Sequence, residues 1–160
     1  TSGTAVMGFD KIRSLIQATR PGIAVVTPIT SSLAALDLFG AQRIAVLTPY
    51  VDDINTDIAK YLKDHGKSIS AFSSFKIVEN ETMALLTPQS IFNAALEADR
   101  DDADALFISC TAIRAVEVID KIEQKLGKPV ITAVQAMFWQ SLRLAGFKGK
   151  ISGYGQLMFL

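Results

Sequence analysis

Short runs rich in Val, Ile, Ala and Phe alternate along this chain with stretches in which apolar residues recur every three or four positions. The short runs, at 23–27, 43–47, 68–75, 105–109 and 129–132, have the length and composition of strands. Between them the spacing predicts helices. One starts at Asp52 or Asp53, carries Ile54, Ile58 and Leu62 on one face and stops at Gly66. Thr87-Pro88 has the form of a cap followed by a proline in the first turn, leading into Ile91, Ala94, Ala95 and Leu96. Thr111 is placed to cap a helix carrying Val116, Ile119, Ile122 and Leu126 that ends at Gly127, and a last helix runs over 135–145 to Gly146. Regular strand-helix alternation predicts an α/β fold, a parallel sheet flanked by helices on both faces. No linker or low-complexity segment divides the chain, and the polar stretch 99–104 reads as a solvated loop before a buried strand.

Laid over itself, the pattern shows a repeat. Residues 1–12 read against 111–122 at a constant offset of 110, ending on Asp10-Lys11-Ile12 and Asp120-Lys121-Ile122. The run at 23–27 corresponds to 129–132, and the helices that follow match Leu33 with Trp139, Leu36 with Leu142, Leu38 with Leu144 and Gly40 with Gly146. Two similar strand-helix modules thus bracket a middle βαβα region. A duplicated α/β lobe sets equivalent loops face to face, and the cleft between lobes is a default ligand site. Chance likeness between apolar strand-helix units is the competing explanation.

Composition narrows the function classes. The 160 residues are 49% hydrophobic, which fits one well-buried domain. Sixteen basic residues balance sixteen acidic ones, and no basic run exceeds Lys148-Gly149-Lys150, so neither nucleic acid nor an anionic membrane is an expected partner. No apolar stretch reaches transmembrane length, and Thr1-Ser2-Gly3-Thr4 has no signal-peptide character. Without an initiator methionine, Thr1 reads as a truncation, a processing site or the start of a segment. One cysteine excludes an intrachain disulfide and fits a reducing cytosol.

The chemistry available is correspondingly simple. The single histidine, His65, sits before Gly66 and reads as a helix-end residue. One His and one Cys make neither a thiolate-imidazole metal cluster nor a Ser-His-Asp arrangement, and no phosphate-binding glycine motif is present. What remains is Cys110 in Phe107-Ile108-Ser109-Cys110-Thr111, where a strand ends and a helical pattern begins. Open α/β sheets bind ligands at that edge. A thiol there can donate or accept a proton, or attack as a nucleophile, without a cofactor. The alternative is a buried structural cysteine. In the repeat register Cys110 pairs with the residue immediately before Thr1. Thr1-Ser2-Gly3-Thr4 forms the matching element, either an anion cradle at a helix start or a plain cap. Tyr50, after the run at 43–47, also lies on the carboxyl edge, as a hydrogen-bond donor to a substrate oxygen or as a surface loop residue.

These residues resemble the aspartate/glutamate racemase superfamily, and within it the branch of maleate cis-trans isomerases, arylmalonate decarboxylases and ectoine-utilisation proteins. The resemblance covers nearly the whole chain. It is carried by Thr1-Ser2-Gly3-Thr4, Thr48-Pro49-Tyr50, Ser109-Cys110-Thr111, Leu126-Gly127-Lys128-Pro129 and Leu142-Arg143-Leu144-Ala145-Gly146, in the family's order. It implies a two-lobed, pseudo-symmetric enzyme that works without metal or organic cofactor. Residues 1–40 would be a remnant of the first lobe, with a strand at 23–27 and a helix at 30–39. Residues 41–146 would form the second lobe, and 147–160 would return toward the first. The family's opening βα units are absent, so the chain alone is expected to be inactive and to expose apolar surface.

By the same resemblance Cys110 is the catalytic thiol, and Thr1, Ser2, Tyr50 and the Cys110-Thr111 turn bind and polarise a substrate carboxylate. Asn80 matches an asparagine with which maleate isomerases hold a second carboxylate; it reads equally as a turn residue. Val78 and Met83 are candidates to line the pocket. The leading expectation is a cofactor-independent isomerase or racemase acting on a small carboxylate. The alternatives are an arylmalonate-type decarboxylase with Cys110 as sole proton donor, a non-catalytic carboxylate binder, and a purely structural α/β module. A cytoplasmic homo-oligomer completes the expectation. The residue before Thr1 discriminates among them: cysteine for two-thiol isomerisation or racemisation, glycine for decarboxylation.

Overall fold

The central strands are apolar on both faces, as parallel strands roofed by helices must be. In a computed structural model, which describes residues 2–160, β1 (Arg43–Thr48) is buried from its second residue onward and β3 (Ala105–Ile108) throughout. With β2 (Ser68–Ser74) and β4 (Val130–Thr132) they form one four-stranded sheet in the order β2-β1-β3-β4, every neighbouring pair parallel. The helices are α1 (Ser2–Met7), α2 (Phe9–Thr19), α3 (Pro28–Leu38), α4 (Asp52–Asp64), α5 (Asn80–Ala84), α6 (Pro88–Ala98), α7 (Ile119–Leu126) and α8 (Ala133–Leu144). Short 3-10 turns occupy Ala115–Val118 and Gln156–Phe159. Among the described residues no helix is long and apolar enough to cross a membrane.

The strand order decides where a ligand can enter. From β1 the chain moves outward to β2, then crosses back over β1 to place β3 on its other side. The two connections leave β1 and β3 in opposite directions, which opens a crevice at their carboxyl ends. Beneath it lies a core with Ile44, Leu47, Ile58, Leu62, Ile91, Leu106, Phe107, Ile108, Ile119 and Ile122 at most 1% exposed.

The repeat has a structural counterpart. α3 and α8 pack against each other, joined by Ser31 Oγ donating to Gln140 Oε1 at 2.6 Å. Each follows a threonine cap. Thr132 Oγ1 accepts from the Gln135 N–H at 3.2 Å while Gln135 Oε1 accepts from the Thr132 N–H at 3.1 Å, a reciprocal capping box. At Thr27 the Thr30 hydroxyl accepts from the backbone N–H at 3.3 Å and bonds the Thr27 hydroxyl at 2.8 Å. The helical break between α1 and α2 at Gly8 also recurs, in register, at Val118 between the 3-10 turn and α7.

The run at 23–27 is extended but is not a strand. No ladder partner stands beside it among the described residues, and Gln17 Nε2 donates to the Ile23 carbonyl at 2.9 Å instead. Its last residue, Thr27, serves as the cap of α3, and α8 likewise begins two residues earlier than the spacing indicated because Thr132 caps it. α1 and α2 carry no fully buried side chain, and Val6, Met7, Leu15 and Ile16 are exposed.

The segment 147–160, expected to return toward a first lobe, makes its described contacts on α7 and α8. Asp120 Oδ1 accepts the Gly155 N–H at 2.6 Å, Glu123 Oε2 the Gln156 N–H at 2.9 Å, and Gln135 Nε2 donates to the Tyr154 carbonyl at 2.5 Å. Leu157 and Met158, within this segment, are buried.

Candidate active site

The loop after β1 is built from buried polar contacts. The Phe75 and Ile77 N–H groups donate to the Thr48 and Pro49 carbonyls at 3.0 and 2.8 Å, tying the loop to the end of β2. Asn55, in the first turns of α4 and 7% exposed, reaches back to it. Its Oδ1 accepts from Thr48 Oγ1 at 2.5 Å and its Nδ2 donates to the Tyr50 carbonyl at 2.9 Å. Ser74 Oγ donates to the same carbonyl, and the Tyr50 N–H donates to Thr48 Oγ1 at 3.3 Å. Tyr50 is 5% exposed and belongs to the core, so the surface-loop reading of it is corrected.

The loop after β3 stands beside it. Leu47 pairs with Ile108, and the Ser109 N–H donates to the Leu47 carbonyl at 2.9 Å. Cys110, the next residue, is 4% exposed and lies in the same core cluster as Tyr50. The Ala112 N–H donates to Cys110 Sγ at 3.2 Å. Ser109 Oγ is buried with no hydrogen-bond partner among the described residues. Tyr50 and Cys110 thus follow the carboxyl ends of the two adjacent strands that flank the switch point.

Thr111 does not cap a helix. It is exposed, residues 111–114 turn irregularly, and helical structure resumes only with the 3-10 turn at Ala115. Two side chains take the chain out of helical register. Cys110 Sγ accepts the Ala112 N–H, and Ile113, 4% exposed, is drawn into the core. The sulfur thus faces a backbone donor in a turn, and the helix N-terminus expected beside it lies further along the chain.

The other predicted site residues lie elsewhere. Thr1 lies outside the described residues. Ser2, half-buried, opens α1, which packs on α4, α2 and α3. Asn80 is exposed at the start of α5, a helix the periodicity missed because it spans five residues and buries only Met83. Val78 is exposed, whereas Met83 belongs to the core. His65 is the C-cap of α4, with Nδ1 2.7 Å from the Tyr61 carbonyl and its ring stacked on Tyr61. Sequence reasoning passed over Asn55 and Ser74. The available signal was an asparagine in the first turns after Thr48-Pro49-Tyr50, where a side chain can turn back on the preceding loop.

Comparison with known proteins gives this geometry a context. The arylmalonate decarboxylase family model matches residues 9–158. Arylmalonate decarboxylase from Bordetella bronchiseptica is 31% identical over 152 residues, which covers 93% of this chain and 63% of that protein. Maleate isomerase from Alcaligenes faecalis is 24% identical over 157 residues, covering 94% of this chain and 62% of that protein. The chain thus spans less than two thirds of the length of these relatives. Its fold is shared with a cysteine-to-serine mutant of Nocardia farcinica maleate cis-trans isomerase, solved with a covalently bound succinylcysteine intermediate. That likeness has a TM-score of 0.91 at 23% identity and covers 98% of this chain and 67% of the other.

Proposed function

The chain belongs to the arylmalonate decarboxylase family, and from that premise we propose a cofactor-independent isomerase or racemase that acts on a small carboxylate through the Cys110 thiol. One observation carries the reading: this chain's single cysteine follows the carboxyl end of β3, next to the strand that leads into Tyr50, with a backbone N–H on its sulfur. In this reading Tyr50 donates its phenol to the substrate carboxylate. Ser2, Thr1 and the Cys110-Thr111 turn complete the cradle, and Asn80 holds a second carboxylate. Residues 41–146 form one lobe and 1–40 belong to its pseudo-symmetric mate. The proposal extends to a cytoplasmic, self-associating enzyme.

For a maleate-like substrate the sulfur, as thiolate, forms a bond to one alkene carbon. The π electrons shift onto the adjoining carboxylate as an enediolate, which the hydroxyl and N–H donors stabilise. Rotation about the new single bond follows. Collapse of the enediolate then re-forms the double bond in the trans arrangement and expels the thiolate. For an amino-acid-like substrate the sulfur instead removes a proton from the carbon next to the carboxylate. The covalently bound succinylcysteine in the Nocardia farcinica isomerase mutant supports the addition route.

The higher identity to the Bordetella bronchiseptica enzyme favours a second reading, decarboxylation of an aryl malonate. There the electrons of the broken carbon-carbon bond remain as an enediolate, carbon dioxide leaves, and the Cys110 S–H protonates the carbon. Incubating the protein with maleate, phenylmalonate and aspartate, with mass analysis of the Cys110 peptide and product analysis in deuterated water, separates the readings. A maleate adduct on Cys110 supports isomerisation, and release of carbon dioxide with deuterium at the new carbon-hydrogen bond supports decarboxylation. Normal turnover by Cys110→Ala would sink both.

A further inference from the structure

We propose that Asn55 is the positioning residue for Tyr50 in carboxylate binding; the inference rests on the reading of Tyr50 as a carboxylate donor. The observation is a closed network. The Tyr50 carbonyl accepts two hydrogen bonds, from Asn55 Nδ2 at 2.9 Å and from Ser74 Oγ. The Tyr50 N–H donates to Thr48 Oγ1, so that hydroxyl's own hydrogen is free to go to Asn55 Oδ1 at 2.5 Å. Each partner's donor and acceptor roles follow from the others, which fixes the orientation of the Asn55 amide.

Both backbone polar groups of Tyr50 are thereby pinned to side chains from β1, α4 and β2, and Asn55 bridges the two sides of the residue. Asn55 bonds the Thr48 hydroxyl and the Tyr50 carbonyl, not the Tyr50 ring, so its contribution runs through the direction of the Tyr50 Cα–Cβ bond. A tyrosine hydroxyl lies far out on a rigid ring. A backbone rotation of about 10° moves it by about 1 Å, the scale of misplacement that costs a site up to about a hundredfold. Asn55 does not cap α4, whose N-cap is Val51; its side chain is spent on the loop before the helix. Burial of Asn55, with both ends of its amide engaged, is what positioning requires.

The test is a double-mutant cycle on binding rather than on stability. Dissociation constants for maleate and for phenylmalonate are measured by calorimetry on the full chain and on Asn55→Asp, Tyr50→Phe and the combined variant. Asn55→Asp keeps the acceptor for Thr48 Oγ1, and in place of the donor to Tyr50 it sets a carboxylate oxygen against that carbonyl. Each single variant should weaken binding about tenfold, the size of one lost hydrogen bond to a charged group. The combined variant should be no weaker than Tyr50→Phe.

Ser74→Ala, which removes the second donor from another strand, should weaken binding in the same direction and by less. It keeps the proposal open to refutation if Asn55→Asp fails to fold. Gly127→Ala, a destabilising change distant from the crevice, should leave affinity unchanged and separates positioning from general loss of stability. Additive losses for Asn55→Asp and Tyr50→Phe would overturn the proposal while leaving Tyr50 as a donor. Unchanged binding by Tyr50→Phe, or no binding of either carboxylate to the unaltered chain, would overturn the Tyr50 reading and this inference with it.

Discussion

Replacing Gly155 by alanine tests the docking of the C-terminal segment on α7 and α8. Gly155 has φ 81° and ψ 167°, a backbone region that only glycine occupies at ease. A β-carbon there would lie 2.5 Å from Ile119 Cγ2, 2.8 Å from Gln135 Nε2 and 3.3 Å from Glu123 Oε1. None of these can step aside cheaply. Ile119 is fully buried, Gln135 is committed to the Tyr154 carbonyl, and Glu123 holds the Gln156 N–H. Backbone strain of about 1–3 kcal/mol and overpacking of about 1–3 kcal/mol together predict a loss of about 2–6 kcal/mol. Gly127 supplies the control, because it has φ 69° with nothing within 4 Å of the added atom. Gly127→Ala therefore costs the left-handed backbone term alone, about 1–2 kcal/mol.

At about 2–4 °C per kcal/mol for a chain of this size, Gly127→Ala should melt a few degrees below the unaltered protein and Gly155→Ala well below both. Circular dichroism melts read the global loss. Hydrogen exchange over 151–160 reads the alternative response, in which the segment lifts off and caps the cost. Gly155→Ala with the melting point of Gly127→Ala and unchanged protection over 151–160 would refute the packing argument.

Two carboxylates give pH dependences of opposite sign. Burial pushes the Glu123 carboxyl above its ordinary value of 4.5, opposed by the Val130 and Gln156 N–H groups and reinforced by Asp120. The folded chain therefore keeps the proton to higher pH than the unfolded chain, and this group's contribution to stability falls as pH rises above about 4.5. Glu123→Gln removes that fall, so the urea midpoint of the unaltered protein relative to this variant should be more favourable at acid pH than at neutral pH; an equal gap at both refutes it. Asp104 is held below its ordinary value of 3.8 by the Arg43 and Gln42 N–H groups. Its contribution is complete above the unfolded value and is lost as pH falls through the folded one, so the stability gap to Asp104→Asn should close on acidification. A gap that widens instead would refute the assignment.

The parts of the fold that were legible in the sequence are those whose pattern repeats over several residues. The apolar runs of β1 and β3, the Ile54-Ile58-Leu62 face of α4 and the Thr87-Pro88 start of α6 are local signals that burial reinforces. The placement of Cys110 and Tyr50 just past the ends of buried strands was legible for the same reason. The start of the helical segment after Cys110 was not, because it is set by one sulfur accepting the Ala112 N–H and one isoleucine turning inward. Asn55 and Ser74 were invisible because their meaning depends on α4 and β2 converging on one carbonyl. Neither feature has a period.

The extended run at 23–27 is the instructive failure, and the repeat explains it. The register is 110 at the break before α2 and α7 but 105 at the threonine caps of α3 and α8, so the second copy is five residues shorter between these marks. α7 has eight residues where α2 has eleven, which accounts for three of the five, and a shorter connection accounts for the rest. By this alignment 23–27 is the counterpart of β4, and both lead into a threonine-capped helix. β4 is a strand because β3 lies beside it to complete its ladder. The one sheet of the described residues does not include 23–27, so this run has the composition of a strand and no described neighbour to make it one. Strand composition is a property of a segment, whereas strand formation belongs to a pair.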